Sequence, residues 1–237
     1  MSDLGPLLEL QEHDLAIDRL RHDRATLAER DRLAALTDEQ TELASSRAIQ
    51  TVERDEFARH EQRLADEAQQ LGEQIAAAER RLYSGEVSSP RELQALQADV
   101  EQLRRRRGSV EDRELAAMEQ REPLDQVIAA LDARRDELDA EAAGVQGELT
   151  AREGEVDAAL IAERAERDQV AAGIGPTFVA DYERRRERAR GVGAARLVGS
   201  TCQGCHLSIP ATEVDRIRHQ PPGTLSYCDN CGCILVP

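Results

Sequence analysis

The chain has 237 residues, of which 33% are charged and 2% aromatic, with no Trp and a net charge of −16. That composition leaves little material for a thick globular core, and its wealth of Ala, Glu, Arg and Leu matches long helices and coiled coils better than an α/β enzyme. All 31 basic residues are Arg, which excludes a Walker A phosphate loop, a lysine Schiff base and a lysine general base.

The first element is expected to start at Asp3 to Pro6, because Pro is tolerated in a helix's first turn. Steps of seven from Leu8 then pass through Leu15, His22, Glu29, Leu36, Leu43, Gln50, Phe57, Leu64, Leu71 and Ala78. Most of these positions are apolar, so one seam is kept for burial. The register shifts between Ala16 and Ala34, where Ile17, Leu20 and Leu27 form the better stripe. Thr37 with Gln40 resembles a capping box, and a break or stutter is read near Leu36.

The stretch Leu82 to Leu93, LYSGEVSSPREL, interrupts the helical pattern. Gly85 can take a positive φ, Ser88 and Ser89 offer capping oxygens, and Pro90 suits the first turn of a new helix. The chain is expected to reverse here. Beyond the corner, Leu96, Leu103, Val110, Ala117, Leu124, Leu131, Leu138 and Val145 repeat every seven residues, with Leu93, Val100, Ile128, Ala142 and Leu149 in a companion row. Pro123 is expected to kink this helix. Arms of this kind, roughly 110 to 120 Å long at about 1.5 Å per residue, offer no concave pocket for a small substrate.

Gly173, Gly175 and Pro176 end the second arm, and a short helix from Thr177 to about Arg190 follows. Phe178 and Tyr182 share one of its faces as an expected core pair. Residues 182–237 carry eight Arg against five acids, a balance of +3, while residues 1–181 carry −19. Arg184, Arg185, Arg186, Arg188, Arg190 and Arg196 therefore form the candidate contact for nucleic acid or an acidic partner, against the plainer reading of a solvated face. At the other extreme of the pattern, Tyr83 and Arg91 are a candidate partner contact at the hairpin tip.

Cys202-Gln-Gly-Cys205 and Cys228-Asp-Asn-Cys231 are two Cys-x-x-Cys pairs with 22 residues between them. Two thiolates three apart on a tight turn can hold adjacent corners of a tetrahedron, and a second pair closes it. This spacing favours one structural Zn2+ over a redox dithiol, disulfides or an iron-sulfur cluster. Four thiolates leave no open position on the metal, so it holds a small domain together instead of activating water. Cys233 is the odd cysteine, read as a spare thiol beside the site, with ligand exchange or redox sensing as the alternatives. Strands at Ala195 to Val198, Thr224 to Tyr227 and Ile234 to Val236 complete the ribbon, with a turn at Pro221, Pro222 and Gly223 and a short helix that places Val214 and Ile217 inward.

LYSGEVSSPRELQALQADVEQL at residues 82–103, the two Cys-x-x-Cys pairs and the Leu-x-Ile-Pro step after the first pair together resemble a bacterial C4-type zinc-ribbon family with an N-terminal coiled-coil hairpin. The resemblance implies zinc ligands at Cys202, Cys205, Cys228 and Cys231. It further implies binding of nucleic acid or protein, some members serving as a sigma-factor chaperone and flagellar mRNA binder. This chain departs from the pattern at Cys233, where the family usually has Arg.

The fold expected is mainly α, a long antiparallel coiled-coil helical hairpin with a small C-terminal three-stranded β zinc ribbon. Its organisation is a hairpin over residues 1–172 with the turn at 83–90, a short helix and linker over 173–193, and a C4 ribbon over 194–237. No Ser/His/Asp or Cys/His constellation is present, so the expectation is a non-enzymatic adaptor for protein partners, with RNA or DNA binding as the alternative and no small-molecule substrate. Without a membrane-length apolar run or a secretory signal pattern, a cytoplasmic location is expected.

Overall fold

A computed structural model describes residues 4–221 and 223–237. Asp3 of the expected helix start and Pro222 of the expected ribbon turn lie outside the described residues. In chain order the elements are α1 (Gly5–Ala25), α2 (Ala28–Tyr83), α3 (Pro90–Ile174), α4 (Pro176–Arg188), β1 (Ala194–Val198), β2 (Thr201–Cys202), α5 (Ala211–His219), β3 (Ser226–Tyr227) and β4 (Ile234–Val236). Among the described residues no helix is long and apolar enough to cross a membrane. The chain divides into two units, one of residues 32–145 and one that joins the first 31 residues to residues 146–237.

The 32–145 unit is a helical hairpin built on the seven-residue repeat. Leu36, Leu64, Ala68, Leu71 and Ile75 of α2 and Val100, Val110, Ala117, Ile128 and Leu138 of α3 are buried, as a two-helix seam requires. Cross-helix pairs fix the antiparallel order: Arg47 donates to Asp132 at 2.6 Å, Arg121 lies 3.0 Å from Glu61, and Arg106 reaches Glu67 at 3.1 Å. Pairs that stay at least partly open to solvent contribute little each, so they set register more than stability. At the corner, Gly85 has φ +79°. The Ser84 hydroxyl donates to the Arg81 carbonyl and accepts from the Glu86 N–H, and the Leu93 N–H donates to the Ser89 carbonyl. The new helix opens at Pro90, where a missing N–H leaves no bond unmade.

Two local expectations are corrected. The break expected near Leu36 lies at Thr26 and Leu27, between α1 and α2, while α2 runs unbroken through Leu36, Thr37 and Gln40. Thr26 ends α1 by turning its own N–H and hydroxyl back to the His22 carbonyl, at 3.0 and 2.9 Å. Thr37 is no cap: its hydroxyl donates to the Leu33 carbonyl four residues back, and Gln40 spends its amide on Asp139. The shift of apolar stripe between Ala16 and Ala34 is the trace that this break leaves in the sequence. Pro123 sits inside α3 without ending it.

In the second unit, the ribbon sheet has strand order β2-β1-β4-β3, with β1 parallel to β4 and the other pairs antiparallel. The short β2 therefore adds a fourth strand to the three read from the sequence. Alternation along a strand gives the sheet two different faces. Ala194 and Ile234 join Leu7 and Leu10 of α1 and Tyr182 of α4 in one buried cluster. Ala195, Leu197 and Leu235 join Val214 and Ile217 of α5 and the buried cysteines in another. Of the expected aromatic pair, Tyr182 is fully buried and Phe178 is half-buried.

Candidate metal centre

Two tight turns carry the four cysteines. The first turn leaves β2 at Cys202 and is closed by the His206 N–H donating to the Cys202 carbonyl at 2.8 Å, with His206 at φ +59° and exposed. The second is closed by the Gly232 N–H donating to the Cys228 carbonyl at 2.7 Å, with Gly232 at φ +80°. Gly204 lies where a Cβ would fall 3.0 Å from both Ala195 Cβ and Val192 Cγ1, so the first turn can press onto β1 only without a side chain there.

These turns bring the Sγ atoms of Cys202, Cys205, Cys228 and Cys231 within 4.8 Å of one another. Across the turns, Cys202 to Cys231 spans 3.9 Å and Cys205 to Cys228 spans 3.8 Å. A tetrahedron of thiolates about 2.3 Å from zinc has edges of about 3.8 Å, so the donor set fits one zinc ion. Burial pushes the Cys228 thiol up to about 12, and zinc has to displace that proton on binding. The ion supplies a cross-link between the two turns. Cys233 adds a fifth sulfur: it is fully buried, 3.6 Å from Cys202 Sγ and 3.4 Å from Cys231 Sγ.

A buried polar clamp that the sequence reading did not single out holds the ribbon to the helices. Gln11 of α1 accepts from the Gly193 and Ala194 N–H groups at 2.6 and 3.2 Å and donates to the Gly191 carbonyl at 2.9 Å. Asp14, one turn on, accepts from the Tyr182 hydroxyl at 2.7 Å and from Arg167 at 3.1 Å. Burial, then donation to Asp14, pushes the Tyr182 hydroxyl well above its ordinary range. Burial works against the charge on Arg167, yet Asp14 and Glu183 hold its guanidinium firmly protonated. One signal for this clamp does exist in the sequence: Gln11 and Asp14 occupy the same helical stripe as Leu7, Leu10 and Ile17, where polar residues are out of place unless partnered.

The candidate Arg cluster is divided by the fold. Arg186 pairs with Asp18 and lies 3.6 Å from Asp14. Arg185 stacks 3.8 Å over the Tyr227 ring and donates to the Gly232 carbonyl beside the metal site. Arg184 is exposed and pairs with Asp181 at 2.8 Å, while Arg188, Arg190 and Arg196 are exposed. Tyr83 and Arg91 are exposed on either side of the corner in the other unit.

Comparison with known proteins agrees with this geometry. The CT398-like coiled coil hairpin domain matches residues 10–190 and the C4-type zinc ribbon domain matches residues 201–235. An uncharacterised Mycobacterium tuberculosis protein, Rv2229c, is 28% identical over 158 residues, an overlap that spans 67% of this chain and 64% of the relative's length. A solved structure from Mycobacterium smegmatis superposes with a TM-score of 0.80 at 28% identity, covering 100% of both chains. CT398 from Chlamydia trachomatis superposes with a TM-score of 0.68 at 18% identity over 98% of this chain and 96% of its own, and shares the fold. With a hairpin, a four-cysteine ribbon and domain matches along most of its length, the chain belongs to the CT398-like coiled-coil hairpin family and carries a C4-type zinc ribbon.

Proposed function

We propose that this protein is a non-enzymatic adaptor whose helical hairpin engages a protein partner. The observation that carries this reading is that the metal set is closed and two of the six candidate Arg are engaged within the fold. The four-thiolate set has no open ligand position for a substrate, and Arg185 and Arg186 are taken up by Tyr227, Gly232, Asp14 and Asp18. What remains available is surface: Ile49, Val52 and Leu115 are more than half exposed on the hairpin, as is Tyr83 at its corner. Affinity capture with the full chain, compared with an Ile49→Glu/Val52→Glu variant and a Tyr83→Ala/Arg91→Ala variant of equal helicity, tests the reading. Loss of the same captured protein with one of the two variants supports it, and capture unaffected by both counts against it.

The second reading, RNA binding, is favoured by the four Arg that stay exposed: Arg184, Arg188, Arg190 and Arg196. Its electrostatic share is testable by salt titration, since every Arg that ceases to meet a phosphate lowers the salt slope by about one. A gel shift at low salt that disappears when these four are replaced by Ala would support RNA binding. No shift in the native protein would leave the adaptor reading alone.

A further inference from the structure

Five sulfurs, not four, lie at the ribbon's metal centre. Cys202, Cys231 and Cys233 form a triangle with sides of 3.9, 3.6 and 3.4 Å between their Sγ atoms. All three sides are close to the edge of about 3.8 Å expected for thiolates sharing one zinc. Cys233 therefore stands over the Cys202 to Cys231 edge of the four-sulfur set, already next to two ligands. It reaches that position because Gly232, at φ +80°, folds the Cys-Gly-Cys segment back on itself, and because the Cys228 N–H donates to the Cys233 carbonyl at 3.0 Å.

The two sulfurs at this corner differ in access. Cys231 is partly buried at the edge of the Ala195, Leu197 and Leu235 cluster, whereas Cys233 has 0% exposure within it. Of the two, Cys231 is the one open to any degree to an electrophile approaching from solution. We infer that Cys233 is a reserve fourth ligand: when Cys231 is lost or capped, the Cys233 sulfur takes over its corner and the ribbon keeps its metal. The exchange breaks the zinc bond to Cys231 and forms one to Cys233, whose thiol proton leaves to solvent. No oxidant or reductant is required.

The full-length protein loaded with Co2+ reads the number of thiolates directly from its sulfur-to-cobalt charge-transfer absorption. Cys231→Ser is expected to keep one metal per chain and a four-thiolate spectrum. The Cys231→Ser/Cys233→Ser variant should lose about a quarter of that intensity and bind at least roughly tenfold more weakly. Cys205→Ser, with no spare sulfur on its side, should fall to three thiolates on its own. Identical spectra and affinities for Cys231→Ser and the double variant would overturn the inference.

A second measurement avoids any ligand substitution and holds if those variants do not fold. The zinc-loaded native protein and Cys233→Ser, which both keep four ligands, are treated with limiting N-ethylmaleimide. Its alkene carbon bonds to the sulfur, and its neighbouring carbon takes a proton from water. Native mass spectrometry with peptide mapping then follows molecules alkylated only at Cys231. Zinc retained in the native protein and lost from Cys233→Ser is the expected result, and equal loss from both would overturn the inference.

Discussion

Tyr182 of α4 donates its hydroxyl proton to Asp14 of α1 across 168 positions of sequence, at 2.7 Å. The bond is buried at both ends, and Arg167 and Arg186 approach the same carboxylate at 3.1 and 3.6 Å. Tyr182→Phe keeps the ring and removes one donor from a buried acceptor, an omission that costs about 1 to 3 kcal/mol. Asp14→Ala should cost more than that, because it takes the nearer acceptor from the Tyr182 hydroxyl and one of two carboxylate partners from each of Arg167 and Arg186, which keep Glu183 and Asp18. Urea denaturation followed by Tyr fluorescence and far-UV circular dichroism measures both, and Asp14→Ala is expected to be the less stable.

Gly193 should tolerate no side chain. A Cβ there would fall 2.5 Å from Tyr182 Cε2 and 2.9 Å from the Tyr182 carbonyl oxygen, and the backbone atom cannot swing away. Gly193→Ala is expected to cost about 1 to 3 kcal/mol through overpacking and to loosen the bond from the Gly193 N–H to Gln11. Thermal melting shows the first effect, and faster amide exchange at residues 193 and 194 shows the second.

Zinc removal should unfold the ribbon and spare the hairpin. The ribbon's own apolar clusters are small, so its folding is tied to the metal. The seam from Leu36 to Leu138 owes nothing to the metal. Chelation is expected to remove the dispersed amide signals of residues 194–237 from a heteronuclear spectrum while most of the helical circular dichroism persists. Because zinc displaces thiol protons, including that of Cys228 near 12, affinity should fall by roughly tenfold or more per pH unit as pH drops below 7. Competition with a chromophoric chelator at several pH values measures the slope.

Acid should weaken the helix pairing through Asp132 and Asp157. Hydrogen bonds from Arg47 and Arg24 hold these carboxyls below the usual carboxylate range. A depressed folded-state value means stability that is complete above the unfolded carboxylate value, about 4, and lost as pH falls through the folded value. Thermal melts should therefore hold level from pH 7 to 5 and decline below about 4. Because both pairs are open to solvent, Asp132→Asn and Asp157→Asn together should reduce that decline only slightly.

Core position should outweigh residue type along the hairpin. Leu138 is 2% exposed and Leu115 is 56% exposed on the same helix. Leu138→Ala is expected to cost about 2 to 5 kcal/mol and Leu115→Ala within about 0.5 kcal/mol, as read from denaturant midpoints.

Much of this fold could be read from the sequence, for physical reasons that differ by element. The row from Leu96 to Val145 was legible because a seven-residue period survives only if one seam stays covered, and none of its eight members is exposed. The corner was legible from Gly85 and Pro90, whose backbone preferences act locally. The four ligand positions follow from spacing, which a tetrahedral ion dictates. Features that rest on distant partners were hidden. Thr26 ends a helix with no Gly or Pro to mark it, and the two fates within the Arg184 to Arg190 run depend on whether Asp18 or Tyr227 arrives beside each side chain. Gln11 looks like one more surface polar residue until Gly191, Gly193 and Ala194, about 180 positions away, come into contact with it.

The Gln11 contacts also set a timetable for the nascent chain. Leu7, Leu10 and Gln11 have their partners on α4, β1 and β4, in the segment before β1 and at the end of α3, so the face of α1 that they share leaves the ribosome long before those partners exist. At about 5 to 20 residues per second, translation takes about 10 to 35 s to deliver residue 193. During that interval the 32–145 hairpin can zip and the first helix must wait with its apolar stripe bare. A cell making this protein therefore handles an exposed amphipathic helix for many seconds per molecule, and chaperone occupancy, visible by selective ribosome profiling, should persist past the codons for α4 and β1 and fall only once α4, β1 and β4 have emerged.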